Sequence, residues 1–368
     1  MTRAAVCFGS PSPEHDISIL TGLQATRALA SGPFEVVALY WAPNGGWFRV
    51  PTGSEAADFA GGPPRGATPV QLLTGPDGGF WEEGRRGRRT NLGIDGVVNC
   101  CHGVPGEDGT LQGLLDLAGL RYTGPSARGA ALGMDKLAFT GVMEVAGLPA
   151  IPTVCLTPGV DHLPFAPPFI VKPRFGGSSI GIHVVDDLAT ATALCATQPL
   201  LAEGAVVQPY LADAVDLNIS VKTYPALSLS AVERPLRAPE GRIYTYAEKY
   251  LQGRDGMASA PRELPADIPT PLEAELRSHA AVVASVALVR SVARVDFLWH
   301  DDRLYVNEIN TIPGALGWYF WDHEGIPFGQ LLSEMLAEAE LGPTRRFRTE
   351  GADGTALRSA GTIASKLA

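Results

Sequence analysis

The chain opens with a short apolar run, AAVCFG at 4–9. A stretch with helical spacing of its apolar residues follows, ISILTGLQATRALA at 17–30, and then a second apolar run, FEVVALYW at 34–41. Short apolar runs predict strands, and recurrence every three to four residues predicts a helix. Gly- and Pro-rich residues 43–93 then interrupt the pattern. They carry a basic knot, Arg85, Arg86, Arg88 and Arg89, which reads as a solvated loop. IDGVVNCC at 94–101 predicts a buried strand, and GTLQGLLDLAGL at 109–120 a helix. This β-α-β order belongs to a parallel sheet with crossover helices.

A second unit begins near Ser126. DKLAFTGVMEVAG at 135–147 has helical spacing, with Asp135 near its start and Gly147 as its stop. IPTVCL at 151–156 and PFIVKP at 168–173 predict strands, RFGGSSIG a glycine-serine loop, and IHVV at 182–185 a returning strand. AVVQPYL at 205–211, DLNISVKTY at 216–224 and LSLSAVERPL at 227–236 predict strands of a third unit. A polar loop at 235–265 precedes a long helix, LEAELRSHAAVVASVALV at 272–289. RVDFLWHDDRLYVNEINTIPG at 294–314 reads as a hairpin, and 328–340 as an amphipathic helix. The expected division is 1–125, 126–205 and 206–342, with 343–368 a polar, loose tail. No internal repeat is evident.

Composition narrows the function. The 368 residues are 45% hydrophobic and 18% charged, which is globular, and the net charge of −10 argues against nucleic acid or an anionic membrane as the main partner. An anionic substrate must then be held by local cations, backbone N–H groups or metal. The five cysteines, Cys7, Cys100, Cys101, Cys155 and Cys195, are odd in number and lack C-x-x-C spacing. They read as reduced, mostly buried thiols of a cytosolic protein. Residues 1–10 run into a strand without a long apolar stretch, so neither a signal peptide nor a spanning helix is expected.

The hairpin carries the most specific chemistry. Residues two apart on a strand share a face. Arg294 and Asp296 therefore point together, as do Glu308 and Asn310, and pairing of the strands gathers oxygen ligands for a hard divalent ion beside a guanidinium. The competing reading is a hairpin with a solvated polar face. In the segment from Lys172 to Gly181, adjacent glycines allow close approach to a bulky anion and Ser178 and Ser179 add donors. A tight turn is the alternative. Lys136 and Lys172, on separate elements, suit a pair of phosphates, and Glu248-Lys249-Tyr250 sits where a closing loop would bring a third cation. Glu14, in SPEHDIS at the end of the first strand, is placed for an ammonium group. His102, in CHGVPGEDG, ends a buried strand, where it is either a substrate contact or structural.

Together these segments resemble the D-alanine–D-alanine ligase family of the ATP-grasp superfamily, from about residue 4 to residue 340. SPEHDIS, HGVPGEDGTLQGLLDLAGLRYTG, ALGMDK, IVKPRFGGSSIGI, IYTYAEKY and the hairpin match in order as well as in content. The resemblance implies an α/β fold of three-domain ATP-grasp architecture, with an N-terminal parallel α/β domain and two α+β domains sandwiching ATP. It implies an ATP-dependent carboxylate–amine ligase of cell-wall precursor synthesis, cytoplasmic, with a homodimer as the expected assembly. By that resemblance Asp296, Glu308 and Asn310 hold two Mg²⁺ (or Mn²⁺ in their place), and Lys136, Lys172 and Lys249 offset phosphate charge. Arg294 and the Gly314 N–H face the oxyanion, and Glu14 holds the first ammonium, buttressed by Ser178 and Tyr250. Gln208, Tyr210 and Leu211 meet adenine and Asp216 the ribose.

Two segments depart from the family. Pro209 follows Gln208 at the hinge and lacks an N–H, which makes Leu211 the expected backbone donor. After Gly314 the chain reads ALGWYFWDHEG, with Tyr319 where the family has a serine that grips the second substrate's carboxylate. Either the Tyr319 hydroxyl takes that role, or the aromatics pack in the core and backbone N–H groups take it. A sister ligase with a different second amino acid, and a catalytically silent nucleotide-binding module, are the other readings.

Overall fold

The run at the start of the chain becomes a strand buried on both sides. Strand β1 (Arg3–Gly9) sends Ala4, Val6 and Phe8 into one core and Ala5 and Cys7 into another, which is why its sequence is continuously apolar. Helix α1 (His15–Ala30) covers the first face, and β2 (Glu35–Trp41) pairs with β1 in parallel. Residues 43–93 are not a bare loop. They form β3 (Trp47–Val50), β4 (Thr68–Leu73), β5 (Gly79–Glu83) and β6 (Arg89–Asn91), an antiparallel extension of the sheet. These strands are three to six residues long and joined by Gly-rich turns, so the composition hid them. Strand β7 (Gly96–Asn99) pairs in parallel with the other side of β1, and α2 (Thr110–Leu117) packs on the second face. Beyond β7, Cys100 enters one core and Cys101 the other, and all five cysteines are free thiols.

In this computed structural model, residues 2–84, 87–236, 261–342, 349–360 and 362–363 are described. Arg85 and Arg86 of the basic knot, and Lys249 and Tyr250 of the closing loop, lie outside them. Ser126 caps α3 (Ala127–Met134), and Asp135 caps α4 (Lys136–Val145) by accepting from the N–H groups of Leu137 and Ala138. Strands β8 (Val154–Leu156), β9 (Phe169–Pro173) and β10 (His183–Val185), helix α5 (Leu188–Thr197) and β11 (Ala205–Pro209) follow, the strands forming one four-stranded antiparallel sheet. The expected boundary after residue 205 falls on the first residue of β11. The sheets themselves change between 209 and 215, and there we propose the unit boundary.

The third sheet contains β12 (Val215–Lys222), β13 (Ser228–Pro235) and β14 (Arg262–Glu263). After α6 (Thr270–Val286) it is completed by β15 (Val292–His300) and β16 (Arg303–Asn310). Leu217, Ile219 and Val221 of β12 and Ala293, Val295 and Phe297 of β15 pack beneath α4 and α6, which leaves the opposite face polar. The chain then returns to the first unit. In α7 (Trp318–His323), Phe320 and Trp321 join the α1 core, as do Leu331, Leu332, Met335 and Leu336 of α8 (Phe328–Leu341). In the expected loose tail lies one short exposed helix, α9 (Thr355–Ser359), and Asp353 just before it accepts from Thr355 N–H at 2.9 Å. Among the described residues no helix is long and apolar enough to cross a membrane.

Candidate active site

The polar face of the third sheet looks across a cleft at the second. In the β15–β16 hairpin Arg294 lies opposite Asn310 and Asp296 opposite Glu308. The register then shifts, since Phe297 pairs with Val306 and leaves Asn307 as an extra residue. That bulge reverses the alternation set by buried Leu304 and Val306 and keeps Glu308 and Asn310 on the cleft side. Arg294 grips Asp296 through Nε and Nη2 at 2.6 and 2.7 Å, and Asn310 Nδ2 donates to Asp296 Oδ2 at 3.0 Å. Burial works against the Arg294 charge, but the Asp296 carboxylate outweighs it and keeps the guanidinium protonated.

These residues fit a hard cation. Two carboxylates directly opposed on neighbouring strands repel each other unless a cation lies between them, and an amide beside them has an oxygen to offer after a flip. Among the described residues no group of three or more His, Cys, Asp or Glu has metal-binding geometry, and the candidate donors at the hairpin are two carboxylates and one amide.

The facing wall carries the cations. Lys172, buried at the end of β9, reaches Asn307 Oδ1 at 3.4 Å, so the two sheets meet within reach of the hairpin carboxylates. Lys136 donates to the Gly176 carbonyl and is tied to the glycine loop a second way. Asp135, its neighbour, takes a bidentate fork from Arg174 at 2.6 and 2.7 Å. Arg174 and two backbone N–H groups together outweigh burial and hold the Asp135 carboxyl below its usual range. Within the loop Ser178 and Ser179 both take left-handed backbone angles, φ +53° and +59°, a strained form found at functional sites.

The first unit closes one end. A Cβ on Gly177 would lie 2.8 Å from Glu14 Oε1, and one on Gly103 3.3 Å from the same atom. The carboxylate of Glu14 is thus sandwiched between two glycines of different units, whose lack of a side chain leaves room for it. His102 is buried, with both ring nitrogens taken: Nδ1 lies 2.9 Å from the Ile312 carbonyl and Nε2 2.8 Å from Thr21 Oγ1. Burial pushes its pKa down to about 4, so the ring is neutral near pH 7. The carbonyl can only accept, which puts the proton on Nδ1 and makes Thr21 the donor to Nε2. Thr21 Oγ1 in turn accepts from Ala315 N–H at 3.2 Å. Glu107 Oε1 accepts from Ile312 N–H at 2.8 Å and Thr311 Oγ1 at 3.2 Å, and burial together with the Glu14 charge pushes its pKa up to about 7. Residues 311–315, which include Gly314, are therefore held by Glu107, His102 and Thr21.

At the hinge Gln208 Nε2 donates to Thr153 Oγ1 at 2.7 Å. The Tyr210 N–H donates to the Pro168 carbonyl at 2.9 Å. Leu211 and Asp216 line the same cleft. At the other end Tyr319 lines the cleft while its neighbours Phe320 and Trp321 go into the core.

Glu14, His102, Lys136, Lys172, Ser178 and Ser179 thus line one cavity with Gln208, Tyr210, Leu211 and Asp216. Arg294, Asp296, Glu308, Asn310, Gly314 and Tyr319 complete it. Glu107, Asn307 and Thr21 are not among the residues expected from the sequence. Glu107 stands inside the motif that supplies His102, and Asn307 stands beside Glu308. Thr21 carries no signal, because it sits within a helix.

Two antiparallel sheets closing on a cleft, lysines on one wall and carboxylates on the other, define the ATP-grasp class. Comparison with known proteins is more specific. Residues 3–125 match the family model described as D-ala D-ala ligase N-terminus, and residues 160–337 match D-ala D-ala ligase C-terminus. The chain belongs to the D-alanine–D-alanine ligase family. It is 32% identical to a D-alanine–D-alanine ligase of Mycolicibacterium smegmatis over 92% of this chain and 95% of that one. It is 28% identical to another of Bradyrhizobium over the same shares. Its fold is that of the VanG D-Ala:D-Ser ligase from Enterococcus faecalis (TM-score 0.75, 22% identity, 92% of this chain and 99% of that one). It is also that of the D-alanine–D-alanine ligase from Helicobacter pylori (TM-score 0.72, 22% identity, 93% and 100%).

Proposed function

We propose that this chain is an ATP-dependent ligase that joins two D-alanines through a D-alanyl phosphate, releasing ADP and phosphate. The observation that carries the reading is the convergence at the hairpin bulge. The opposed pair Asp296 and Glu308 sits beside Asn307, which Lys172 reaches from the facing sheet. In such a cleft anionic phosphates meet cations on one side and metal-binding oxygens on the other.

Glu14 would hold the ammonium of the first D-alanine, with Ser178 and Tyr250 beside it, and so aim its carboxylate at the γ-phosphate. Lys136, Lys172 and Lys249 would offset phosphate charge, and the Ser178–Ser179 turn would wrap the phosphates. Gln208, Tyr210 and Leu211 would meet adenine and Asp216 the ribose. With the Tyr210 N–H given to Pro168, Leu211 is favoured as the backbone donor. Asp296, Glu308 and Asn310 would hold two Mg²⁺, which neutralise β- and γ-phosphate oxygens when bound. The amine of the second D-alanine then attacks the acyl carbon and phosphate leaves. Arg294 and the Gly314 N–H would meet the tetrahedral oxyanion, where one preorganised donor is worth roughly 3 kcal/mol. A cytoplasmic location and a homodimer belong to the same reading, and the second is open to light scattering.

Phosphate release with ATP, Mg²⁺ and D-alanine tests the proposal, with dialanine identified by mass. Release is expected to saturate with D-alanine alone and to be absent with L-alanine. Glu308→Gln should lower it at least a hundredfold while circular dichroism is unchanged. ATP binding without turnover would instead favour a silent module, and release only on adding another amino acid would favour a sister ligase.

A further inference from the structure

The glycine loop opens with an arginine that is not part of the cleft wall. Arg174 follows β9 directly, yet neither it nor Asp135 lines the cavity, whereas Lys136, Gly176, Gly177, Ser178 and Ser179 do. Its Nε and Nη2 both donate to the Asp135 carboxylate, at 2.7 and 2.6 Å, and its guanidinium carbon lies 5.0 Å from the Phe175 ring centroid. Asp135 caps α4, whose Phe139 and Met143 belong to the core beneath the third sheet, while Arg174 continues from the second sheet. The fork therefore links the loop to a helix anchored under the opposite wall. Backbone contacts run beside it. The Lys136 N–H donates to the Arg174 carbonyl at 3.2 Å, and Asp135 and Phe175 form an antiparallel bridge.

Two features of the loop need a fixed stem. Lys136 is the first residue of α4, where the helix dipole disfavours a cation. The Gly176 carbonyl, two residues beyond Arg174, accepts from its ammonium and offsets that cost. An ammonium has three N–H groups, so one such bond leaves Lys136 able to meet a phosphate as well. The left-handed backbone of Ser178 and Ser179 is also costly, and it persists only where its surroundings over-determine it. A half-buried bidentate guanidinium–carboxylate pair has the directionality to supply that constraint.

We propose that the Asp135–Arg174 fork is a positioning device for the nucleotide phosphates. It fixes the stem of the glycine loop against Lys136, so that the loop N–H groups and the Lys136 ammonium meet the same phosphate group. The proposal rests on the ATP reading and gives Arg174 no contact with the nucleotide. The arginine of the loop acts through Lys136 and the loop backbone.

The test is binding by the full chain with Mg²⁺ present, read by calorimetry for ADP and by ligand-observed NMR for adenosine. Asp135→Asn keeps a side-chain oxygen for the α4 cap and loses the carboxylate that receives the fork. It should weaken ADP binding roughly tenfold and leave adenosine within about twofold of wild type, because only the phosphates meet the loop. Arg174→Met should do the same, and Arg174→Lys, which restores charge without the fork, should recover part of the loss. Asp135→Asn and Arg174→Met combined should bind no more weakly than either alone, since both remove one interaction. The KM for ATP should rise roughly tenfold with the rate at saturating ATP within about threefold of wild type. Unchanged ADP affinity in the two single variants overturns the proposal. An equal loss for adenosine also overturns it, by showing a general prop of the cleft. Should Asp135→Asn not fold, Arg174→Met decides by the same two readings. A wild type that does not bind ADP would overturn the nucleotide reading itself. That result is distinct from failure of the fork, in which wild type and variants bind ADP alike.

Discussion

Glu107 shows how much one buried side chain can impose. Its carboxyl receives the Ile312 N–H and the Thr311 hydroxyl, yet burial and the nearby Glu14 charge raise its pKa from 4.5 to about 7. Between those values the unfolded chain is ionised while the folded chain keeps its proton. Stability from this group is therefore full below pH 4.5 and is lost as pH rises through about 7. The span corresponds to on the order of 3 kcal/mol. Glu107→Gln removes the ionisation, so wild type should lose stability relative to the variant from pH 4.5 to 8. Denaturant midpoints at both pH values measure the difference. A gap between the two proteins that does not change with pH would contradict the assignment. Neutral, buried His102 acts with the opposite sign, but it is common to both proteins and cancels.

At the scale of the element, the β15–β16 hairpin depends on one additional residue. Asp301 and Asp302 take φ +48° and +55°, the backbone of a two-residue turn that sets the register. The bulge at Asn307 then shifts Glu308 from the parity of Leu304 and Val306 to that of Asp296. Deleting Asn307 restores strict alternation and, because Glu308 then follows buried Val306 directly, leaves Glu308 opposite Asp296 on the cleft face while removing the amide that Lys172 reaches. The melting temperature is expected to stay within a few degrees of wild type and phosphate release to fall about tenfold. Calorimetry and phosphate release check both, and abolished turnover at an unchanged melting temperature would show that alternation alone does not aim Glu308.

For the whole molecule the decisive contact is the docking of the first unit on the third. Thr21 from α1 and His102 from the end of β7 together fix Ile312 and Ala315, on either side of Gly314. Helix α8 packs against α1, and Lys222 pairs with Glu334 at 2.7 Å, which locks the same two units from behind. Thr21→Val keeps the shape and removes the hydroxyl, leaving Ala315 N–H and His102 Nε2 without a partner. Each orphaned buried group costs about 1–3 kcal/mol. The turnover rate is expected to fall roughly tenfold with the KM for ATP within twofold, because the proposed nucleotide contacts all belong to the other two units. Steady-state kinetics decide, and a matching rise in the ATP KM would show that this tether shapes the nucleotide cleft instead.

The local sequence determined the strands, most of the helices and the chemistry of the hairpin, because periodicity, caps and turns act within a few residues. It also determined which groups are oxygen donors and which are cations, and the order of the motifs was enough to place the chain in its family. Tertiary structure alone decided that residues 43–93 extend the first sheet and that β11 belongs to the second. It alone paired Arg294 with Asp296, took both nitrogens of His102, and forked Arg174 onto Asp135. The reason is physical. A residue's face is set by its neighbours along the chain, whereas the partner that completes its hydrogen bonds or balances its charge comes from whichever distant segment packing brings near.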